Sequence, residues 1–117
     1  MPAVPFSVAL RERTRTSHDH TEGATFMHDL MSGKGTRDDY VALVVQHFYM
    51  YEALEAVADA LTEDAVASRF ITPQLTRVPA LVADLEFLLG PDWKSASSPL
   101  PSTTRYVDRI KEVSGWV

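Results

Sequence analysis

The stretch from Thr36 to Leu61 contains neither glycine nor proline, and it constrains the fold of this chain more than any other feature. Its second half is rich in Ala, Leu, Glu and Met, which all favour the α-helix. Thr36, followed three residues later by Asp39, resembles a capping box, although that motif prefers Glu or Gln at the third position. At about 1.5 Å per residue, a helix over this stretch would be roughly 35–40 Å long. Its apolar residues recur mostly at spacings of three or four, as one buried helical face requires: Leu43, Val44, Phe48, Tyr51, Leu54, Ala58 and Leu61.

The rest of the chain also has a helical periodicity. A first helix is predicted to include His18 and to end before Gly23, since glycine commonly terminates helices. An apolar stripe that begins at Phe26 predicts a short second helix, another helix is predicted to stop at Gly90, and a last one to start near Thr103. No segment alternates between apolar and polar residues as a strand would. The sequence therefore predicts an all-α fold, an irregular helical bundle of about five helices.

The composition is typical of one small globular domain. A chain of 117 residues is long enough for one domain and too short for two. The absence of cysteine excludes disulfides and thiolate metal sites, and it favours a cytoplasmic location. A formal net charge of −5 argues against nucleic acid as a partner, because phosphate contacts require a basic surface. No apolar run approaches the roughly 20 residues of a membrane span, and the N-terminus lacks the features of a secretory signal.

Among the candidate functional residues, the four histidines come first. His18 and His20 are two residues apart, so they point to different faces of a helix and make a poor chelate. No HExxH or Glu-x-x-His motif is present, which gives no support to a zincin or a di-iron bundle. Glu22 lies four residues after His18 on the same helical face, where a carboxylate can fix the tautomer of an imidazole. Arg11 lies two turns before His18, where a cation can pair with an anionic ligand. By spacing alone, ordinary solvated side chains are the more common explanation of these residues.

Four segments resemble, in order and spacing, segments of one known family. RERTRTSHDHTEGATFMHDL (Arg11–Leu30) has a basic residue, a histidine, a glutamate four residues on and a Phe-Met pair, and it resembles the proximal-helix region of haem oxygenases. FYMYEALE resembles the family's tyrosine-containing long helix, FLLGPDW resembles its Gly-Pro-x-Trp turn, and RYVDRIKEV resembles the segment before its distal helix. The resemblance covers nearly the whole chain. It implies that residues 1–117 are the N-terminal, proximal-side part of a bacterial, biliverdin-producing haem oxygenase domain, an incomplete haem oxygenase fold without the distal helix and the C-terminal helices.

The resemblance also implies roles for individual residues. His18 would bind the haem iron as its proximal ligand, and Glu22 would hydrogen-bond the other ring nitrogen. Arg11 would pair with a haem propionate, where many family members carry lysine. Three more residues would line the proximal face of the haem, and two tyrosines would be catalytic through the distal water network. These are Thr21, Thr25 and Met27 on the proximal face, and Tyr51 and Tyr106 in the water network.

The activity implied by the resemblance is oxidative cleavage of haem to biliverdin, CO and ferrous iron, in iron acquisition or haem catabolism. Haem b would be both cofactor and substrate, with O2 and with electrons from a reductase or ferredoxin. Because the distal helix is not among these residues, we expect the isolated chain to bind haem weakly and to be inactive as an oxygenase. One alternative is a non-enzymatic haem-binding module or a truncated relative completed by another chain. Another is a helical bundle related by fold only, without a role in haem chemistry.

Overall fold

A computed structural model describes residues 2–116 of the chain. The α-helices, in chain order, are α1 (Phe6–Glu22), α2 (Thr25–Met31), α3 (Arg37–Ala60), α4 (Val78–Leu89) and α5 (Pro101–Ser114). Two short 3-10 helices, Ala67–Arg69 and Pro73–Leu75, lie between α3 and α4 along the chain. Residues 2–116 contain no strand.

The prediction of an all-α fold with about five helices is therefore confirmed for the part of the chain that the structure describes. Met1 and Val117, which belong to the predicted domain of residues 1–117, lie outside the described residues. No helix in the described range is both long enough and apolar enough to cross a membrane.

The chain divides into two compact units, with the boundary in the sequence between Tyr40 and Val41. The first unit contains α1 and α2, and neither of these helices has a buried residue. The second unit contains most of α3 together with α4 and α5. All the buried apolar residues found in the described chain belong to this second unit.

The start of α3 has the capping box that the sequence predicts. The hydroxyl oxygen Oγ1 of Thr36 accepts a hydrogen bond of 3.1 Å from the backbone N–H of Asp39. The carboxylate oxygen Oδ2 of Asp39 accepts one of 2.9 Å from the backbone N–H of Thr36. Two of the N–H groups that a helix leaves without intrahelical partners are thus satisfied. Aspartate performs the role for which the motif more often uses glutamate.

The core of the second unit is formed where α3 faces α4 and the turn that follows it. Val44, Val45 and Phe48 from α3 are buried, together with Leu85 from α4 and Trp93 from the turn. The rings of Phe48 and Trp93 meet edge to face, with centroids 4.8 Å apart and an interplanar angle of 81°. This is one of the favourable arrangements of aromatic pairs.

Residues outside α4 define both of its ends. The carboxylate oxygen Oε2 of Glu55, on α3, accepts hydrogen bonds of 3.1 Å from the backbone N–H groups of Arg77 and Val78. A carboxylate at a helix N-terminus also interacts favourably with the helix dipole. At the other end, Gly90 has a φ of 89°, a backbone conformation that glycine adopts without steric cost. The predicted stop at Gly90 is confirmed, since α4 ends at Leu89.

The N-terminus of α5 is attached to α3 through one side chain, Gln46. Its Oε1 accepts hydrogen bonds from the backbone N–H of Leu100, at 2.9 Å, and from Oγ1 of Thr103, at 2.7 Å. Its Nε2 donates to the carbonyl oxygen of Ser98 at 3.2 Å. The hydroxyl of Tyr49, on the same helix, donates to the carbonyl oxygen of Ser97 at 3.1 Å. These bonds fix α5, which carries Tyr106, against α3.

Candidate functional site

The helix α1 carries His18 near its C-terminal end. Its segment between Pro5 and Gly23 contains neither proline nor glycine, so nothing in the sequence interrupts the helix. The carbonyl oxygen of Pro5 accepts hydrogen bonds from the N–H groups of Val8 and Ala9, and the N–H of Gly23 donates to the carbonyl oxygen of Asp19. The predicted end before Gly23 is confirmed. His18 therefore occupies a regular helical position from which the residue four places on is a neighbour.

The imidazole of His18 has a carboxylate close to each of its two nitrogens. Nε2 lies 3.5 Å from Oε1 of Glu22, and the two side chains are 67% and 69% exposed. Nδ1 lies 3.7 Å from Oδ1 of Asp19. In this arrangement Nε2 is the nitrogen that faces Glu22, and Nδ1 is the nitrogen that faces Asp19. The structure thus brings His18 and Glu22 together, as the spacing of four residues predicts.

A cavity of about 440 Å³ lies beside this pair, between the end of α1 and the helix α2. Two methionine side chains and one threonine give it much of its apolar surface, and the complete lining is Thr21, Glu22, Met27, His28, Met31 and Ser32. The hydroxyl of Thr21 donates a hydrogen bond of 2.9 Å to the carbonyl oxygen of Ser17. This bond occupies the hydroxyl proton within the helix and leaves the methyl group as the apolar part of the side chain.

The other residues predicted for the proximal side lie in the same unit. Met27 is half-buried and lines the cavity, whereas Thr25 is exposed at the first position of α2 and is not among the lining residues. Arg11 is exposed and lines a second surface cavity, of about 350 Å³, together with Arg15 and three other residues of α1. The two guanidinium groups are four residues apart, so they share one face of the helix.

The two tyrosines predicted for the distal water network belong to the second unit and line different cavities. Tyr51, on α3, is half-buried and lines a cavity of about 330 Å³ that includes Phe70 and Leu75. Its ring contacts that of His47 edge to face, at 6.1 Å between centroids. Tyr106, on α5, is 46% exposed. It lines a cavity of about 280 Å³ that does not include Tyr51.

Sequence reasoning gave no role in the site to four residues that the structure places around these features. Asp19 contacts His18, Arg15 accompanies Arg11, and His28 and Met31 line the cavity beside Glu22. The signal for Met31 was present, since it follows Met27 by four residues and therefore shares its helical face. Asp19 directly follows His18, a spacing at which helical side chains ordinarily diverge, and the sequence gives no signal for that contact.

The described chain is thus an all-α protein with an exposed histidine–carboxylate pair at the end of its first helix and a cavity lined by methionines beside that pair. A sequence model of the family described as "Heme oxygenase" matches residues 4–115. The chain belongs to the haem oxygenase family.

Individual relatives agree with this assignment. The chain is 31% identical to "Heme oxygenase 2" of Synechocystis sp. over 105 residues, which cover 90% of this chain and 42% of the relative. It is 35% identical to human "Heme oxygenase 1" over 108 residues, which cover 92% of this chain and 38% of the relative. The chain thus spans less than half the length of these two relatives.

Solved structures show the same likeness in the fold. The structure of heme oxygenase-1 from Synechocystis sp. PCC6803 in complex with heme superposes with a TM-score of 0.87 at 28% identity. That match covers 95% of this chain and 50% of the solved one. Heme oxygenase from Leptospira interrogans superposes with a TM-score of 0.85 at 29% identity, over 92% of this chain and 53% of the other. The predicted fold, part of the haem oxygenase bundle, is confirmed.

Proposed function

We propose that this chain provides the proximal side of a haem-degrading site, and that His18 is the ligand of the haem iron. The observation that carries the proposal is the contact between His18 and Glu22, on the first helix of a member of the haem oxygenase family. The solved structure of the Synechocystis relative is a complex with heme, which supports haem as the molecule bound at this site. Under this proposal, residues 1–117 are the N-terminal, proximal-side part of a haem oxygenase domain.

The chain offers the three kinds of group that haem requires. An imidazole with an exposed nitrogen is a common ligand of haem iron, and a neighbouring carboxylate fixes the ring and raises its basicity. The methionine-lined cavity beside Glu22 provides an apolar, adaptable surface for a porphyrin face. Arg11 and Arg15 provide cations for the two propionates, since guanidinium groups pair well with carboxylates. When bound, haem provides the iron at which O2 reacts, and its own ring is the substrate that is cleaved.

Each residue then has a defined task that it performs on the protein side. Glu22 accepts a hydrogen bond from the N–H of the His18 ring nitrogen that faces it, which leaves the other nitrogen of the neutral ring without a proton and able to bind a metal. Thr21 and Met27 form apolar contacts, and Thr25 adds surface at the start of α2. The hydroxyls of Tyr51 and Tyr106 would hold water on the distal side. The overall reaction we propose yields biliverdin, CO and ferrous iron, with O2 and with electrons from a reductase or ferredoxin.

A haem titration followed by absorbance tests the iron ligand. Haem added to the wild-type chain should give a Soret band shifted from that of free haem, and His18→Ala should abolish or displace that band. His20→Ala is the matched control, since it removes an exposed imidazole from the same helix and should leave the spectrum as in the wild type. An unchanged Soret band in His18→Ala would show that another residue binds the iron.

A turnover assay separates the oxygenase from the alternative of a non-enzymatic haem-binding module. The haem complex is supplied with ascorbate or a reductase and with O2, and the products are measured. Biliverdin and CO support the oxygenase, whereas a haem complex that persists unchanged supports a binding module or a partner that must complete the site. Because the chain spans about half of the related structures, we expect the chain alone to give the second result.

A further inference from the structure

We infer that His18, Asp19 and Glu22 form a binding site for a divalent first-row transition-metal ion, such as Zn²⁺ or Fe²⁺, when no haem is bound. The three residues each offer one ligand atom, and these atoms all lie within 4.8 Å of one another. The metal site stands on this geometry alone. Only its consequence, competition with haem, rests on the proposed function.

The distance between His18 and Glu22 is that of two ligands of one ion. Zinc binds imidazole nitrogen and carboxylate oxygen at about 2.1 Å, so two such ligands in a tetrahedral site lie about 3.4 Å apart. The distance from Nε2 of His18 to Oε1 of Glu22 is 3.5 Å. An ion can therefore bind between these two atoms with little movement of either side chain.

The donor set and the surroundings favour such an ion over Ca²⁺ or Mg²⁺. Imidazole suits zinc, iron, nickel and copper, whereas calcium and magnesium are bound almost entirely by oxygen. The carboxylates of Asp19 and Glu22 balance the two charges of the ion. Because all three side chains are exposed, water completes the coordination and the ion exchanges freely with solution.

His28 provides an internal comparison. Nδ1 of His28 lies 3.7 Å from Oδ1 of Asp29, the same distance as between His18 and Asp19. The residue four places after His28 is Ser32, so the second carboxylate is missing. If a histidine followed directly by an aspartate were enough to bind a metal ion, His18 and His28 would bind it with equal affinity. The inference predicts that only the site at His18, which also has Glu22, binds the ion.

Metal binding at His18 has a consequence for haem. A neutral imidazole has only one nitrogen without a proton, so it can bind only one of the two ions. An ion bound to the nitrogen that faces Glu22 also replaces the N–H that would donate a hydrogen bond to this carboxylate. A divalent ion therefore competes with haem for the site. Ferrous iron, a product of the proposed reaction, would itself occupy the site and slow the entry of the next haem.

Calorimetric titration of the haem-free chain with Zn²⁺ alone tests the site. His18→Ala should lower the affinity at least about tenfold, which corresponds to about 1.4 kcal/mol. Glu22→Gln should also weaken binding, while His28→Ala should bind as the wild type does. Circular dichroism checks that the helix content is unchanged, as expected for exposed residues. Equal affinities of the wild type and His18→Ala, or an equal loss in His28→Ala, would overturn the inference.

A second titration, with haem in the presence of Zn²⁺, tests the competition. With free Zn²⁺ at ten times its dissociation constant, the apparent dissociation constant for haem should rise about elevenfold by mass action. An unchanged haem affinity would show that the two ligands occupy different places. Zinc binding at His18 without any binding of haem there would refute the proposed function and leave the metal site standing. Haem binding at His18 without any binding of zinc would refute the metal site and leave the proposed function standing.

Discussion

At the scale of single residues, the stability of the second unit depends on few side chains. Leu85 has no exposed surface at all, and it packs in the cluster that contains Phe48 and Trp93. Two residues further along the same helix, Phe87 is 89% exposed. The helix α4 thus carries one of the most buried and one of the most exposed large apolar side chains of the described chain.

Leu85→Ala should therefore destabilise the chain by about 2–5 kcal/mol, because it removes buried methyl groups and leaves a cavity. Phe87→Ala removes a larger side chain from the same helix and should change the free energy of unfolding by less than about 0.5 kcal/mol. Denaturant unfolding followed by circular dichroism measures both values. Similar effects of the two substitutions would contradict the packing described for α4.

Asp64 gives a prediction about pH. Its Oδ1 accepts hydrogen bonds from the backbone N–H groups of Ala67 and Val66, at 2.8 and 2.9 Å, and these bonds lower the pKa of the carboxyl group. A folded-state pKa below the unfolded one stabilises the fold above the unfolded pKa, and the stabilisation is lost as the pH falls through the folded pKa. The stability difference between the wild type and Asp64→Asn should therefore shrink as the pH falls below the ordinary carboxyl range.

Unfolding experiments over a range of acidic pH values measure that difference. Glu63→Gln, which removes a negative charge from the exposed neighbouring residue, is the control and should not reproduce the pH dependence of the gap. A gap between wild type and Asp64→Asn that stays constant down to strongly acid pH would show that the two backbone bonds do not favour the ionised carboxyl group.

The candidate site was predictable at this scale only where one helix contains both partners. The contact of His18 with Glu22 follows from the spacing of four residues, which the sequence states directly. The cavity beside it did not follow, because it depends on how the chain turns after Gly23 to bring Met27 and Met31 near the end of α1. The role proposed for His18 comes from the family resemblance, since the spacing left it open.

At the scale of elements, the ends of helices were easier to predict than their attachments. The capping pair Thr36 and Asp39 and the stops before Gly23 and at Gly90 are local features that the sequence states within a few residues. The start of α5, predicted near Thr103, lies two residues earlier, at Pro101. Its first turn is held by Gln46, more than fifty residues away in sequence, and no local pattern reveals such a partner. The 3-10 helices between α3 and α4 were missed because one short turn leaves no periodicity.

The stability of the chain should accordingly depend on Gln46, which connects α3 to α5. Gln46→Leu removes three hydrogen bonds to the loop and to α5, and it leaves the buried hydroxyl of Thr103 without its acceptor. We expect a loss of about 2–4 kcal/mol, at about 1 kcal/mol for each bond plus the cost of an unsatisfied buried group. Tyr49→Phe removes a single bond to the same loop and should cost about 1 kcal/mol. Thermal or denaturant unfolding compares the two, and an equal effect would contradict the role given to Gln46.

At the scale of the whole molecule, the two units differ in what stabilises them. The second unit has a buried core, whereas α1 and α2 have no buried residue in the described structure. An isolated helix of the length of α1 is only marginally stable in water, because most helical stability in proteins comes from packing an apolar face. The residues proposed to bind haem lie in the unit with the weaker support.

Amide hydrogen exchange should show this difference. In the haem-free chain, the amides of α1 should exchange at a lower opening free energy than those around Val44 and Phe48 in α3. Haem at one hundred times its dissociation constant should add about 2.7 kcal/mol to the stability of the bound state, and the protection should appear in α1. His18→Ala should remove the gain in α1. Equal protection of α1 and α3 without haem would show that α1 is stabilised as strongly as the core.

The absence of buried residues in α1 also means that substitutions there meet few packing constraints within the described chain. A substitution at a core position must be compensated by repacking, whereas a substitution at an exposed position of α1 changes mainly the chemistry of the helix surface. The proposed iron ligand could therefore be exchanged, as in His18→Cys or His18→Tyr, without a search for compensating mutations.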